Sequence, residues 1–157
     1  MLQVVIVMVG KTRAGFIQAG SEFYLKRLRP YLKVELVTVK EEKPHPGLTP
    51  EMITAREGER LLARVPQPAR LVALDPGGRE LTSEGLAAWL EQHEREDPRP
   101  LVLAVGGHLG LAAGVLAAAQ ERLALSRLTF THELTRLILL EQLYRAATIR
   151  AGHPYHL

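Results

Sequence analysis

Gly106-Gly107-His108-Leu109-Gly110 gathers three glycines into five residues, directly after the apolar run Leu101–Val105 and before an alanine-rich segment. Glycine has no Cβ and adopts positive φ freely, so such a loop lets backbone approach a ligand closely. Its place between a strand and a helix is where α/β sheets bind ligands, although it does not match the G-x-G-x-x-G dinucleotide fingerprint. The bland alternative is a tight strand-to-helix turn with no ligand. Leu125-Ser126-Arg127-Leu128-Thr129-Phe130 is the second segment of interest: apolar residues interleaved with donors, against which a flat group such as an adenine could lie. Taken as structure alone it is a strand end and its connection. Gly10-Lys11-Thr12 invites a phosphate-loop reading, but the position of that motif's first glycine holds Val5.

The six histidines include His132, at the start of the last helical pattern, and His153 and His156 in the tail. Their spacing fits no zinc motif, so no metal is expected. Cysteine is absent, which excludes disulfides, thiolate metal sites and cysteine nucleophiles. Gly152-His153-Pro154-Tyr155-His156-Leu157 combines two imidazoles, a phenol and a proline, an unusual composition for a frayed terminus.

These residues need a scaffold, and the pattern alternates strand with helix. Strands are expected over Gln3–Val9, Lys33–Val39, Arg70–Leu74, Leu101–Val105 and Leu123–Leu128. Ala14–Leu28 reads as a helix whose Phe16, Ala19, Phe23 and Leu28 lie near one face, with cations in its last turn. Thr49-Pro50-Glu51 opens a helix to about Val65 with a cap, a first-turn proline and an early acid. Asp75-Pro76-Gly77-Gly78 predicts a turn, and Thr82 or Ser83 caps a helix to about Glu94. Ala112–Gln120 and Thr131–Arg150 complete the set. Five strands separated by helices predict one α/β domain spanning 1–157, a parallel sheet with helices on both faces.

The last helix is apolar nearly all round: Leu137 and Leu139 point about 160° apart, and Leu143 and Ile149 about 120° apart. A surface helix on a monomer shows one apolar stripe, so this pattern predicts a homodimer joined through the helix, with Leu139 and Leu143 in the interface. A helix central to one domain is the alternative.

Across 157 residues the formal charge is only +3, but it is unevenly spread. Residues 11–43 carry eight bases against four acids, and residues 71–100 carry seven acids against three bases. The first stretch could face phosphate or simply be a solvated helix surface. The apolar run Val4–Val9 is far too short to span a bilayer and lacks the flanks of a signal peptide, which makes the cytoplasm the expected location.

Val105-Gly106-Gly107 with Gly110-Leu111, Leu125-Ser126 with Leu128-Thr129, His132 with Leu134 and Arg136, Glu141-Gln142-Leu143-Tyr144-Arg145-Ala146, and His153-Pro154-Tyr155-His156 together resemble the RlmH family of small SPOUT-class methyltransferases. The resemblance runs from the first strand to the tail, and the C-terminal run is its most specific part. It implies a C-terminal trefoil knot, S-adenosylmethionine as methyl donor, and a homodimer with sites at the subunit interface. The implied substrate is N3 of pseudouridine-1915 in 23S rRNA, with an assembled ribosomal particle as the expected target. Cofactor contacts carry over to Leu74, Gly106, Gly107 and the segment Leu125, Ser126, Arg127, Leu128, Thr129 and Phe130. The chain departs from the family at His108-Leu109, where more polar residues are usual. It also ends in Leu157 where a basic residue is expected, which weakens a phosphate contact.

Methyl transfer from a sulfonium needs the acceptor lone pair aligned with the S–CH3 bond, so positioning supplies most of the rate. The acceptor N3–H must also lose its proton. Arg136, His132, His153, Tyr155 and His156 are the candidates for assisting that loss. Two other readings remain open on the residues alone: a non-catalytic RNA- or nucleotide-binding α/β module, and an unrelated α/β enzyme using a nucleotide at the glycine loop.

Overall fold

The computed structural model describes residues 1–157. Its centre is an all-parallel sheet of β1 (Gln3–Val9), β2 (Lys33–Val39), β3 (Arg70–Glu80), β4 (Leu101–Val105) and β5 (Glu121–Ala124), in the order β2-β1-β4-β3-β5. β1, β4 and β3 are the inner strands, and almost every residue of β1 and β4 is buried. That burial on two faces explains their unbroken apolar runs.

Helices cover both faces, as the alternation predicted. α1 (Gly15–Leu28), α3 (Ser83–Glu96) and α5 (His132–Arg150) lie on one face, where Leu28, Leu90, Leu139 and Leu143 join the larger core. α2 (Pro50–Ala63) and α4 (Ala113–Ala118) lie on the other, over Val5, Val7, Leu61 and Val115. The helix starts are capped where the sequence indicated. Thr49 Oγ1 accepts the Met52 amide at 3.1 Å, and Thr82, rather than Ser83, accepts that of Gly85 at 2.9 Å.

Three expectations are corrected. β5 ends at Ala124, so Leu125–Leu128 is not strand; its apolar pattern serves another purpose. The Asp75–Gly78 turn forms, with Asp75 Oδ2 accepting the Gly77 amide at 3.0 Å, but it is an excursion within β3. Leu74 and Arg79 both oppose Leu123, so the strand resumes after a bulge. On α1 the buried residues are Ile17, Ser21 and Leu28, while Phe16 is 70% exposed and Phe23 46% exposed. The Phe16–Phe23 stripe faces outward.

α5 packs between α1 and α3 above the sheet, and none of its residues is fully exposed. Leu137 lies so close to Gly20 that a Cβ there would sit 2.7 Å from its Cδ1. A middle position in a three-helix layer therefore accounts for the all-round apolar pattern inside one subunit. Leu139 and Leu143, 3% and 0% exposed, belong to the core rather than to an interface between subunits.

Candidate functional site

β3 leads into α3 on one face of the sheet, and its neighbour β4 leads into α4 on the other. The loops leaving the carboxyl ends of these two strands thus diverge, opening a crevice at a topological switch point. A cavity of about 480 Å³ lies there. That is within the range of small-molecule and cofactor sites.

One wall is Leu74-Asp75-Pro76, where β3 begins its excursion. A second is Val105 with Gly106, Gly107, His108 and Gly110. This loop is closed on itself: Gly107 and Gly110 form an antiparallel bridge, and the Gly110 amide donates to the Gly107 carbonyl at 3.0 Å. Gly110 sits at φ +81°, and a Cβ on Gly106 would lie 2.5 Å from the Gly110 carbonyl carbon. Glycine at 106, which also lines the cavity, is needed for the loop's own closure, a requirement separate from the close ligand approach that the sequence suggested.

The third wall is Leu125, Ser126, Leu128, Thr129 and Phe130. The Leu128 amide donates to Ser126 Oγ at 3.0 Å, and no backbone–backbone hydrogen bond outside the regular elements involves residues 125–130. Backbone groups beside an apolar cavity need partners, and a bound ligand can supply them. Arg127 is the exception in this segment. Its side chain is 90% exposed and donates to Glu80 at 3.0 Å, away from the cavity.

The first turn of α5 completes the enclosure with Thr131, His132 and Thr135. Thr131 Oγ1 caps the helix by accepting the Leu134 amide at 3.3 Å. Burial, reinforced by the nearby Arg136 guanidinium, holds the His132 pKa below the ordinary imidazole value. His132 is therefore neutral near pH 7, with one ring nitrogen able to accept a proton.

The other proposed catalytic side chains lie elsewhere within the subunit. Arg136 is 3% exposed and clamps the end of β1, donating to Thr12 Oγ1 at 2.8 Å and to the carbonyls of Val9 at 2.5 Å and Gly10 at 2.9 Å. It positions; it does not face the cavity. His153, Tyr155 and His156 follow the far end of α5, about 28 Å from its start at 1.5 Å per residue. There the tail makes a single 3-10 turn, Pro154–His156. His153 Nδ1 pairs with the Tyr31 hydroxyl at 2.7 Å, and the Tyr155 hydroxyl donates to Glu141 at 3.2 Å. Burial raises the Tyr155 pKa above the usual phenol value, which disfavours it as a base.

Sequence reasoning missed Thr131 and Thr135 as cavity residues, read Asp75 only as part of a turn, and named His108 only as a member of the glycine loop. Thr131 and Thr135 were within reach: flanking His132 at helical spacing, they share its end of α5. Asp75 is the sole carboxylate on the cavity wall. No group of three or more histidine or acidic side chains is placed to hold a metal ion.

Residues 2–156 match the family model described as "Predicted SPOUT methyltransferase". The chain is 48% identical to the ribosomal RNA large subunit methyltransferase H of Desulfotalea psychrophila, over 96% of this chain and 97% of that one. It is 41% identical to the protein of the same name from Halothermothrix orenii, over 99% of each. Among solved structures, a probable methyltransferase from Bordetella pertussis superposes with a TM-score of 0.54 at 15% identity, covering 93% of this chain and 96% of that one. The tRNA (m1G37) methyltransferase of Aquifex aeolicus gives 0.53 at 16% identity, covering 98% and 73%. These two likenesses concern the fold.

Proposed function

The chain belongs to the SPOUT methyltransferase family, and on that premise we propose that residues 1–157 form one domain that methylates 23S rRNA of the large ribosomal subunit at N3 of pseudouridine-1915. The observation that carries this reading is the cavity itself: an apolar cleft whose 125–130 wall has unpaired backbone beside a neutral His132. S-Adenosylmethionine, the methyl donor of SPOUT enzymes, supplies an electrophilic methyl group when bound there. Leu74, Leu125 and Phe130 would offer apolar surface for its adenine, and the amides of Arg127, Thr129 and Phe130, which lack backbone acceptors, would be available to the ring edge. His132 accepts the N3 proton, a contribution of about a hundredfold or more. The chain's path suits the knot that the family resemblance implies: it runs out to the edge at β5 and returns over the sheet into α5.

The reading includes a homodimer on new grounds. Phe16, Ala19 and Phe23 form an outward stripe along α1, and Arg27 stacks over Phe23 at 3.4 Å from the ring centroid. The tail meets the same helix, the Tyr155 and Tyr24 hydroxyls lying 3.4 Å apart. A second copy seated on this stripe would bring each tail toward its partner's cavity, giving His153, Tyr155 and His156 a role across the interface. No helix is long and apolar enough to cross a membrane, and the cytoplasm, where ribosomes are found, is the proposed location.

The test offers the protein methyl-labelled S-adenosylmethionine with naked 23S rRNA, large subunits or whole ribosomes, then maps the label by nuclease digestion and mass spectrometry. Label on N3 of pseudouridine-1915, strongest with assembled particles, is the expected result. Cofactor binding without transfer to any of the three would replace this reading with a non-catalytic binding module.

A further inference from the structure

The basic N-terminal stretch of the sequence is divided by the fold. α1 returns antiparallel to β1, so Lys26, Arg27, Arg29 and Lys33 reach the amino edge of the sheet. Lys11, Arg13, Lys40 and Lys43 stay at the carboxyl edge, roughly 20 Å away for strands of this length. The second group adjoins the cavity and is tied to its walls from two sides. Glu133, one residue past His132, accepts the amides of Arg13 at 2.8 Å and Ala14 at 3.0 Å. Glu57 on α2 is 3% exposed, accepts the Glu42 amide at 3.1 Å, and lies 3.6 Å from where a Cβ on Gly107 would stand.

The acids of this edge are engaged within it. Glu41 pairs with Arg13 at 2.5 Å, and Glu42 with both Arg56 and Arg60. Hydrogen bonds from the two arginines hold the Glu42 carboxyl below its usual pKa. Glu133 and Glu57 are taken up by backbone amides. Lys11, Lys40 and Lys43 are exposed, and none of their ammonium groups has an ion-pair or hydrogen-bond partner, although the Lys40 carbonyl accepts from Arg60 at 3.0 Å. Flexible, unpaired ammoniums on a shelf held rigidly against a reaction cavity suit a polyanion whose reacting base enters while its backbone runs past.

We propose that Lys11, Lys40 and Lys43 form a phosphate-binding shelf that carries the RNA backbone alongside the cavity. This rests on the rRNA methyltransferase reading and adds the surface by which the substrate is held. The shelf acts on RNA binding and leaves the cofactor untouched. Its lysines contact phosphates and carry no sequence discrimination; the cavity selects the base.

The experiment compares wild type with K11Q/K40Q/K43Q and with the amino-edge control K26Q/K33Q. Binding of a 23S rRNA stem–loop and of purified large subunits is measured from about 50 to 200 mM KCl, alongside S-adenosylmethionine affinity. The shelf variant should bind RNA about tenfold or more weakly. Its log K against log [salt] slope should be shallower by roughly 2–3, one phosphate contact being lost per lysine. KM for large subunits should rise while kcat at saturation and cofactor affinity hold. An unchanged salt slope in the shelf variant, or an equal loss in the control, overturns the shelf. A wild-type protein that binds neither RNA would instead overturn the functional reading itself, so the two failures are distinct.

Discussion

The two long walls of the cavity are built on opposite principles. The glycine loop is locked: its ends bridge, Gly110 occupies a positive φ, and Gly106 lies against the Gly110 backbone with no room for a side chain. The 125–130 wall is open. Its one local tie is the Ser126 hydroxyl, and Leu128 projects at 72% exposure. One wall is finished before a ligand arrives; the other leaves its polar backbone groups for the ligand to pair. Preorganisation on one side limits the ordering cost of binding, while the unpaired side supplies recognition.

The largest effect should come from damaging the locked wall. Gly106→Val forces a branched three-carbon side chain into space already held by backbone. We expect S-adenosylmethionine affinity to fall at least a hundredfold and the melting temperature to drop with it, because the loop must reopen. Calorimetric titration and a thermal melt check both. Full affinity with a lowered melting temperature would show the loop to be a structural turn only.

Next is the chemistry between the walls. His132→Gln removes the proton acceptor but keeps polarity, so single-turnover methyl transfer should fall about a hundredfold with little change in cofactor affinity. In wild type, burial holds the folded imidazole's pKa below the ordinary histidine value. The activity it supports is present above that lowered pKa and lost as pH falls through it. The stability sign agrees: the unfolded chain binds the proton more readily, so stability falls on acidification below about 6.5. A pH–rate profile whose acid limb is unchanged in His132→Gln would remove this residue from the base role.

Much of this architecture was legible in the chain, and the places where it was not share a cause. β1 and β4 match their expected bounds because a strand buried on both faces announces itself as an apolar run, and the edge strand β2 matches through its alternation of apolar and polar residues. Leu125–Leu128 carries the same signal for a different reason, lining a cavity instead of joining a sheet; periodicity records burial, not the surface that does the burying. Arg136 looked catalytic by type and position. Its partners are the Val9 and Gly10 carbonyls more than a hundred positions earlier in the chain, and no local pattern carries that pairing. Phe16 and Phe23 were assigned a face by spacing alone, but spacing does not say which face meets the sheet.

Arg136 also separates support of the site from participation in it. Arg136→Met keeps the length of the side chain and deserts the carbonyls at the end of β1. Stability should fall by about 2–4 kcal/mol, read by urea denaturation, while the salt dependence of RNA binding stays the same. A loss of activity with undiminished stability would move this arginine from the frame into the chemistry.

The smallest effect is the most direct measure of the difference between the walls, since it needs no substitution. Amide exchange followed by mass spectrometry, with and without S-adenosylmethionine, reports which backbone groups gain partners. The Gly110 amide already donates to Gly107, so its protection should change little. The amides of Arg127, Thr129 and Phe130 lack backbone acceptors, and those that take ligand partners should slow by about tenfold, a gain near 1.4 kcal/mol in local opening. The contrast fails if both walls slow equally, for then the glycine loop too is ordered by the ligand and its bridge opens readily in the free protein. It fails in the other direction if neither wall slows, which would mean that the cofactor binds without using the 125–130 backbone at all.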